Sequence, residues 1–83
     1  MQADHFLDLS GLRCPMPLLK TKQRLAQIEP GERLLVTTTD SGSKRDIPSY
    51  LRLSEHVLED MTEHADTGQI LFLIVKGARS NVC

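Results

Sequence analysis

The stretch QILFLIVK, Gln69–Lys76, is apolar at every position from Ile70 to Val75. Side chains along a strand alternate between two faces, so a run apolar on both faces belongs inside a sheet rather than at its rim. In a chain of 83 residues that requirement governs everything else. So short a chain forms one domain and buries roughly 60% of its unfolded surface. The remaining residues must therefore supply both the flanking strands and the apolar helix faces that cover this one.

They read in that sense. His5–Ser10 (HFLDLS) sets Leu7 and Leu9 against Asp8, an alternating strand, and Gly11 supplies a turn. Helical spacing begins next: Leu18, Leu19, Leu25, Ala26 and Ile28 share one half of a wheel, and Lys20, Gln23, Arg24 and Gln27 the other. This predicts a helix over 15–28, stopped by Pro30 and Gly31. Arg33–Thr39 is β-branched and apolar, a second strand, and Asp40–Ser43 a loop. Lys44–His56 carries Ile47, Tyr50, Leu51 and Ser54 at helical spacing. Its start has two solutions. Ser43 as the cap leaves Pro48 inside the helix without its N–H, whereas Asp46 as the cap puts Pro48 in the first turn, where no partner is lost; the second is preferred. Val57–Asp66 is a mostly polar strand joined by a Thr67–Gly68 turn to Gln69–Lys76. The order is βαβαββ, and its first βαβ unit should be a right-handed parallel crossover. The expected fold is α+β, a two-layer α/β sandwich with both helices on one face of a mixed four-stranded sheet. One face of Ile70–Val75 would then point away from the helices, covered by neighbouring side chains or by a second molecule.

The composition is that of a globular protein, 40% hydrophobic and 25% charged. Residues 1–10 lack the basic start and apolar core of a signal peptide, and no apolar run approaches the length of about 20 residues that spans a bilayer. The expectation is a cytoplasmic chain that does not engage a membrane. A net charge of −1 gives no field drawing it to nucleic acid. Its distribution is uneven, since eight of the ten Lys and Arg precede residue 53. That leaves either an ordinary solvated surface or a basic patch facing an acidic protein. With Phe6, Tyr50 and Phe72 as its aromatic residues, direct nucleic-acid binding is not expected.

Only Cys14 and Cys83 carry thiols, too few for the disulfide framework of a small secreted domain. Cys14 stands at the junction of strand, turn and helix, where a cap residue is expected. Pro15 would take the first helical position and Pro17 would still lie in the first turn. The prolines stiffen that end and leave the amides of Met16 and Leu18 free. With the positive end of the helix dipole and the neighbouring Arg13, these favour thiolate over thiol. A thiolate so placed suits nucleophilic attack on sulfur. The other reading is a small hydrophobe packed under the turn. The ligand set Cys14, Cys83, His5, His56 and His64 lacks zinc spacing, so no metal or other cofactor is expected. Nor is there an evident general base: His5 lies at the far end of the first strand, and His56 and His64 read as solvated surface residues.

Leu7–Leu25 (LDLSGLRCPMPLLKTKQRL) resembles the Cys-Pro-x-Pro segment of the TusA/SirA-like sulfur-carrier family. Ser43–His56 looks like that family's second helix with its Arg-Asp-Ile-Pro run, and Phe72–Gly77 is similar to its last strand. The resemblance implies a fold like the C-terminal domain of translation initiation factor 3, with the last strand inside the sheet. It implies that Cys14 accepts sulfane sulfur as a persulfide from a cysteine desulfurase or a rhodanese-type donor and passes it on. Acceptors across the family serve tRNA thiolation, molybdenum-cofactor maturation and sulfur oxidation. Arg13, Met16, Lys20 and Arg24 would rim the thiol and dock partners. Asp46 matches the family's aspartate and would cap its helix or orient the Cys14 loop. Lys22, within the apolar arc, would snorkel to solvent or pair with Asp46. Met16 is apolar where some members carry an acid, so partner choice does not carry over. Residues 1–77 would form the domain and 78–83 a tail; Cys83 there would be inert or would resolve the persulfide.

Overall fold

The structure is a computed structural model, and it describes residues 3–13 and 15–77. The elements follow the expected order: β1 (His5–Leu9), α1 (Met16–Leu25), β2 (Arg33–Thr38), α2 (Ser43–Arg52), β3 (Val57–His64) and β4 (Gln69–Val75). They form one four-stranded sheet in the order β1-β2-β4-β3. β1 runs parallel to β2, as the crossover through α1 requires, and β4 is antiparallel to both its neighbours. The doubly apolar run thus lies inside the sheet.

Register separates the two faces. Leu34, Val36 and Thr38 stand opposite Ile74, Phe72 and Ile70. All are buried, and the apolar ones form the core with Leu9 of β1, Leu25 of α1, Ile28 just past it, and Ile47 and Leu51 of α2. The alternate residues, Leu35 opposite Leu73 and Thr37 opposite Leu71, face away from the helices. Leu73 is nevertheless only 7% exposed, between Leu35 of β2 and Asp60 of β3 in the register. The Arg33–Glu59 ion pair joins β2 and β3, the two strands flanking β4, at 2.7 Å. Leu35, Thr37, Leu71 and Val75 on the same face are half-buried.

Both helices depart from the expected bounds. α1 starts at Met16 because the Pro15 carbonyl accepts the first helical bond, from Leu19 N–H at 3.1 Å. Pro15 is therefore the cap residue and Pro17 the second helical position. The helix ends at Leu25, after which Gln27 N–H turns to the Arg24 carbonyl at 2.9 Å. Its buried line is Pro17, Thr21 and Leu25; Leu19 and Ala26 are exposed. Thr21 tolerates complete burial because its hydroxyl donates to the Pro17 carbonyl at 2.8 Å.

α2 corrects the expected cap. The helix starts at Ser43 with Gly42 as its cap residue, and Pro48 is interior. Asp46 lies in the first turn and does not cap the helix. Ser43 decides the matter: its buried hydroxyl donates to the Asp40 carbonyl at 2.7 Å and lies 2.6 Å from the Thr38 hydroxyl. That tie to the end of β2, with Ile47 and Leu51 in the core, outweighs the bond Pro48 cannot make.

The loop before β2 is tied to the end of β4. Gly31, at φ +89°, sends its N–H to the Lys76 carbonyl at 2.9 Å. Lys76 returns its own N–H to the Glu32 carbonyl at 2.9 Å, and its ammonium donates to the Ile28 carbonyl at 2.9 Å.

Candidate functional site

Position 14 is approached from two sides by segments the fold pins down. On the β1 side, Asp8 accepts from the Ser10 N–H at 3.0 Å and from its hydroxyl at 2.7 Å. Those bonds from Ser10, side chain first, hold the Asp8 carboxyl below its usual range. Gly11 has φ +86°, a conformation that suits glycine, and its N–H donates to Thr39 Oγ1 at 2.8 Å. Leu12 N–H returns to the Leu9 carbonyl at 3.1 Å, and its side chain packs against the core. On the α1 side, Pro15 caps the helix and Pro17 is buried. The two prolines restrict the backbone immediately after position 14.

Cys14 itself lies outside the described residues, as do Cys83 and the expected tail 78–83. Arg13 and Pro15, its two neighbours, are exposed. The expectation that the Met16 amide is free is corrected: its N–H donates to the Arg13 carbonyl at 2.8 Å.

The remaining candidates lie on α1 and α2. Met16 is 38% exposed and Leu19 is 42% exposed, a pair one helical turn apart. Reading Leu19 as core hid that pair in the sequence; its place relative to Thr21, satisfied within its own helix, would have been the clue. Lys20 is exposed and Arg24 half-buried, and both line a cleft with Gln23, Gln27 and Leu7. These two project from the flank of α1 away from α2. Lys22 lies on the other flank, its ammonium 5.0 Å from the centroid of the Tyr50 ring of α2, a cation–π contact. Asp46 is half-buried in the first turn of α2.

The histidines divide differently from expectation. His5 sits at the start of β1, the end remote from residue 14, with Nε2 2.8 Å from a Glu32 oxygen. Glu32 also accepts from the Glu29 N–H at 2.8 Å, and these bonds, Glu29's first, lower its pKa. His64 is exposed at the end of β3. His56, read as a surface residue, is not one: its side chain is only 7% exposed. Nothing in its sequence setting marks it, because Gly77 and Tyr50, which pack around it, are distant in the chain or on another element. Among the described residues no group of His, Cys, Asp and Glu is placed to hold a metal ion, and no helix is long and apolar enough to cross a membrane.

Comparison with known proteins gives relatives in sequence and in fold. A family model described as Sulfurtransferase TusA matches residues 5–76. The "Putative sulfur carrier protein YrkI" of Bacillus subtilis (strain 168) is 41% identical over 78 residues, covering 93% of this chain and 100% of that protein. The "Putative sulfur carrier protein NMA0882" of Neisseria meningitidis serogroup A / serotype 4A (strain DSM 15465 / Z2491) is 44% identical over 57 residues, covering 69% of this chain and 77% of its own. Among solved structures, the SirA-like protein from Desulfitobacterium hafniense aligns with a TM-score of 0.76 at 26% identity, covering 88% of this chain and 97% of that one. With the family's pattern running from the first strand to the end of the last, this chain belongs to the TusA sulfurtransferase family.

Proposed function

We propose that this chain is a sulfur carrier whose working group is the Cys14 thiol. The observation that carries the reading is the placement of position 14 between a β1 turn tied to Thr39 and a proline-stiffened helix start, within a chain that matches the TusA family over 5–76. The thiolate attacks the outer sulfur of a donor persulfide. A new S–S bond forms on Cys14 as the donor's S–S bond breaks, and the donor leaves as a thiolate. Written out, R–S–SH and Cys14–S⁻ give Cys14–S–SH and R–S⁻, with no net redox change. A second thiolate, on an acceptor protein, reverses the step. The positive end of α1 and the Arg13 side chain stabilise the anionic forms of thiol and persulfide.

The donor is a cysteine desulfurase or a rhodanese-type protein, and the acceptor is a protein thiol of a thiolation or cofactor-maturation pathway. Arg13, Met16, Lys20 and Arg24 form the docking rim, and Asp46 supports the loop from α2. Residues 1–77 form the carrier domain and 78–83 a tail that takes no part. The chain works in the cytoplasm, where thiols stay reduced.

Intact-protein mass spectrometry tests this after incubation with a cysteine desulfurase and cysteine. The expected result is a reductant-labile gain of one sulfur atom, absent in Cys14→Ser and retained in Cys83→Ser. If neither that donor nor a rhodanese-type donor adds sulfur to an alkylatable Cys14, the carrier reading fails and a binding module with a structural or redox-sensing thiol takes its place.

A further inference from the structure

The two edges of the sheet are guarded unequally. An edge strand offers a row of backbone N–H and C=O groups to any other chain, and proteins blunt such edges with bulges and charge. β3, at one edge, is blunted in both ways: its register slips between Leu58 and Asp60, and it carries Glu59, Asp60 and Glu63. β1, at the other edge, keeps an unbroken register with β2 over His5–Leu9 and carries no lysine, proline or bulge. Asp8 is its one acid.

Beside this open edge lies a basic cleft. Lys20, Gln23, Arg24 and Gln27, from the flank of α1 that faces away from α2, enclose with Leu7 of β1 a space of about 220 Å³. α1 contains Lys20, Lys22 and Arg24 and no acidic residue, so nothing on the helix neutralises that flank.

We propose that the outer edge of β1 and the adjoining flank of α1 form a docking groove for an extended acidic segment of a relay partner. The segment adds to the sheet as a further strand, held by backbone bonds to β1. Its side chains alternate between faces. Those on the helix side enter the cleft, where carboxylates at every second position meet Lys20 and Arg24, and the amides of Gln23 and Gln27 supply further hydrogen bonds. β1 leads through residues 10–13 toward position 14, so a segment laid along it has one end at the turn that precedes that position. The groove deepens the carrier reading and rests on it for its purpose. Its binding properties do not.

The test uses the full chain, labelled with ¹⁵N, and a capped seven-residue peptide of alternating valine and glutamate, with a valine–lysine peptide as control. The expected result is a set of shifts and slowed amide exchange at His5–Leu9, with shifts of the Gln23 and Gln27 side-chain amides, for the acidic peptide alone. In Lys20→Glu/Arg24→Glu, with amide dispersion showing an intact fold, affinity for the acidic peptide falls by about tenfold or more. The valine–lysine peptide now binds. The proposal is overturned if both peptides bind equally, if the shifts centre on β3 or α2, or if millimolar acidic peptide leaves β1 unchanged. Peptide binding by a chain that never takes up sulfur leaves the groove and removes the carrier reading; sulfur uptake without peptide binding removes the groove alone.

Discussion

The backbone N–H of Gly77 donates to Nδ1 of His56 over 3.0 Å. An acceptor Nδ1 makes the imidazole the neutral tautomer with its proton on Nε2. Nε2 lies 3.9 Å from a Glu55 oxygen, and the ring centroid is 6.3 Å from that of Tyr50. The end of β4 is thus locked to the start of β3 through a side chain that must stay uncharged.

That requirement gives a pH dependence with a definite sign. Burial lowers the His56 pKa from the ordinary 6.5, Glu55 opposes the change and Lys76 reinforces it. The unfolded chain therefore takes up this proton at a higher pH than the folded one. The stability His56 contributes is complete above pH 6.5 and is lost as the pH falls through the lower, folded value. Urea midpoints should fall between pH 7 and pH 5, and His56→Gln should flatten the curve in that window. A ¹H–¹³C titration should place the His56 midpoint below 6.5. A midpoint above that value would reverse the sign and contradict the account.

Gly77→Ala should destabilise the protein by about 1–3 kcal/mol, the usual range for forcing an extra carbon into a packed site. A Cβ there would stand 2.7 Å from the Glu55 carbonyl carbon and would overlap the Glu55 oxygen and Cγ. Equilibrium urea denaturation reads the loss. Gly68→Ala serves as a contrast: it has open space around its Cβ position but φ +77°, so its cost is purely one of backbone conformation.

Ser43→Ala should cost more than Thr38→Val. Since the Ser43 hydroxyl donates to the Asp40 carbonyl, the Thr38 hydroxyl is the donor in the 2.6 Å contact between them. Removing Ser43 Oγ breaks both bonds and strands a fully buried threonine hydroxyl, a loss of about 1–3 kcal/mol. Removing only the Thr38 donor leaves the serine bonded to Asp40, at about 1 kcal/mol. Equal costs in paired chemical denaturations would argue against this direction of donation.

Lys76→Met should loosen the end of α1 while leaving β4 in register. The ammonium bonds the Ile28 carbonyl just past the helix, where a cation also favours the dipole. The half-buried aliphatic stem is replaced by a side chain of similar length, so about 1–2 kcal/mol is the expected loss. Amide exchange should accelerate at 25–31 and remain unchanged across β2.

Much of the fold was legible in the chain because the strands announce themselves by burial. Ile70–Val75 is apolar at every position, and only an inner strand between β2 and β3 satisfies that. The turns at Gly31 and Gly68 were legible because both need positive φ. The candidate site was legible as a motif, Gly11 to Pro17, since two prolines so close together restrict the backbone whatever surrounds them. Its hydrogen bonding was not: the Met16 amide was read as free and is taken by the Arg13 carbonyl.

Where local signals competed, tertiary contacts decided. Asp46 and Ser43 were both reasonable caps for α2, and local chemistry favoured Asp46 because it spared Pro48. The end of β2 settled the helix start at Ser43 through the Thr38 hydroxyl. Leu19 was drawn into an apolar arc that the fold rotates outward around Thr21. His56 became a buried lock through Gly77, twenty-one residues further on. By itself the sequence determined the order of the elements, the inner place of β4 and the stiffened approach to Cys14, all of which follow from side-chain periodicity and backbone restriction within a few residues. Helix phase, the state of each polar group and the unequal edges of the sheet were left to the tertiary structure, because each depends on a partner that only folding brings within hydrogen-bonding distance.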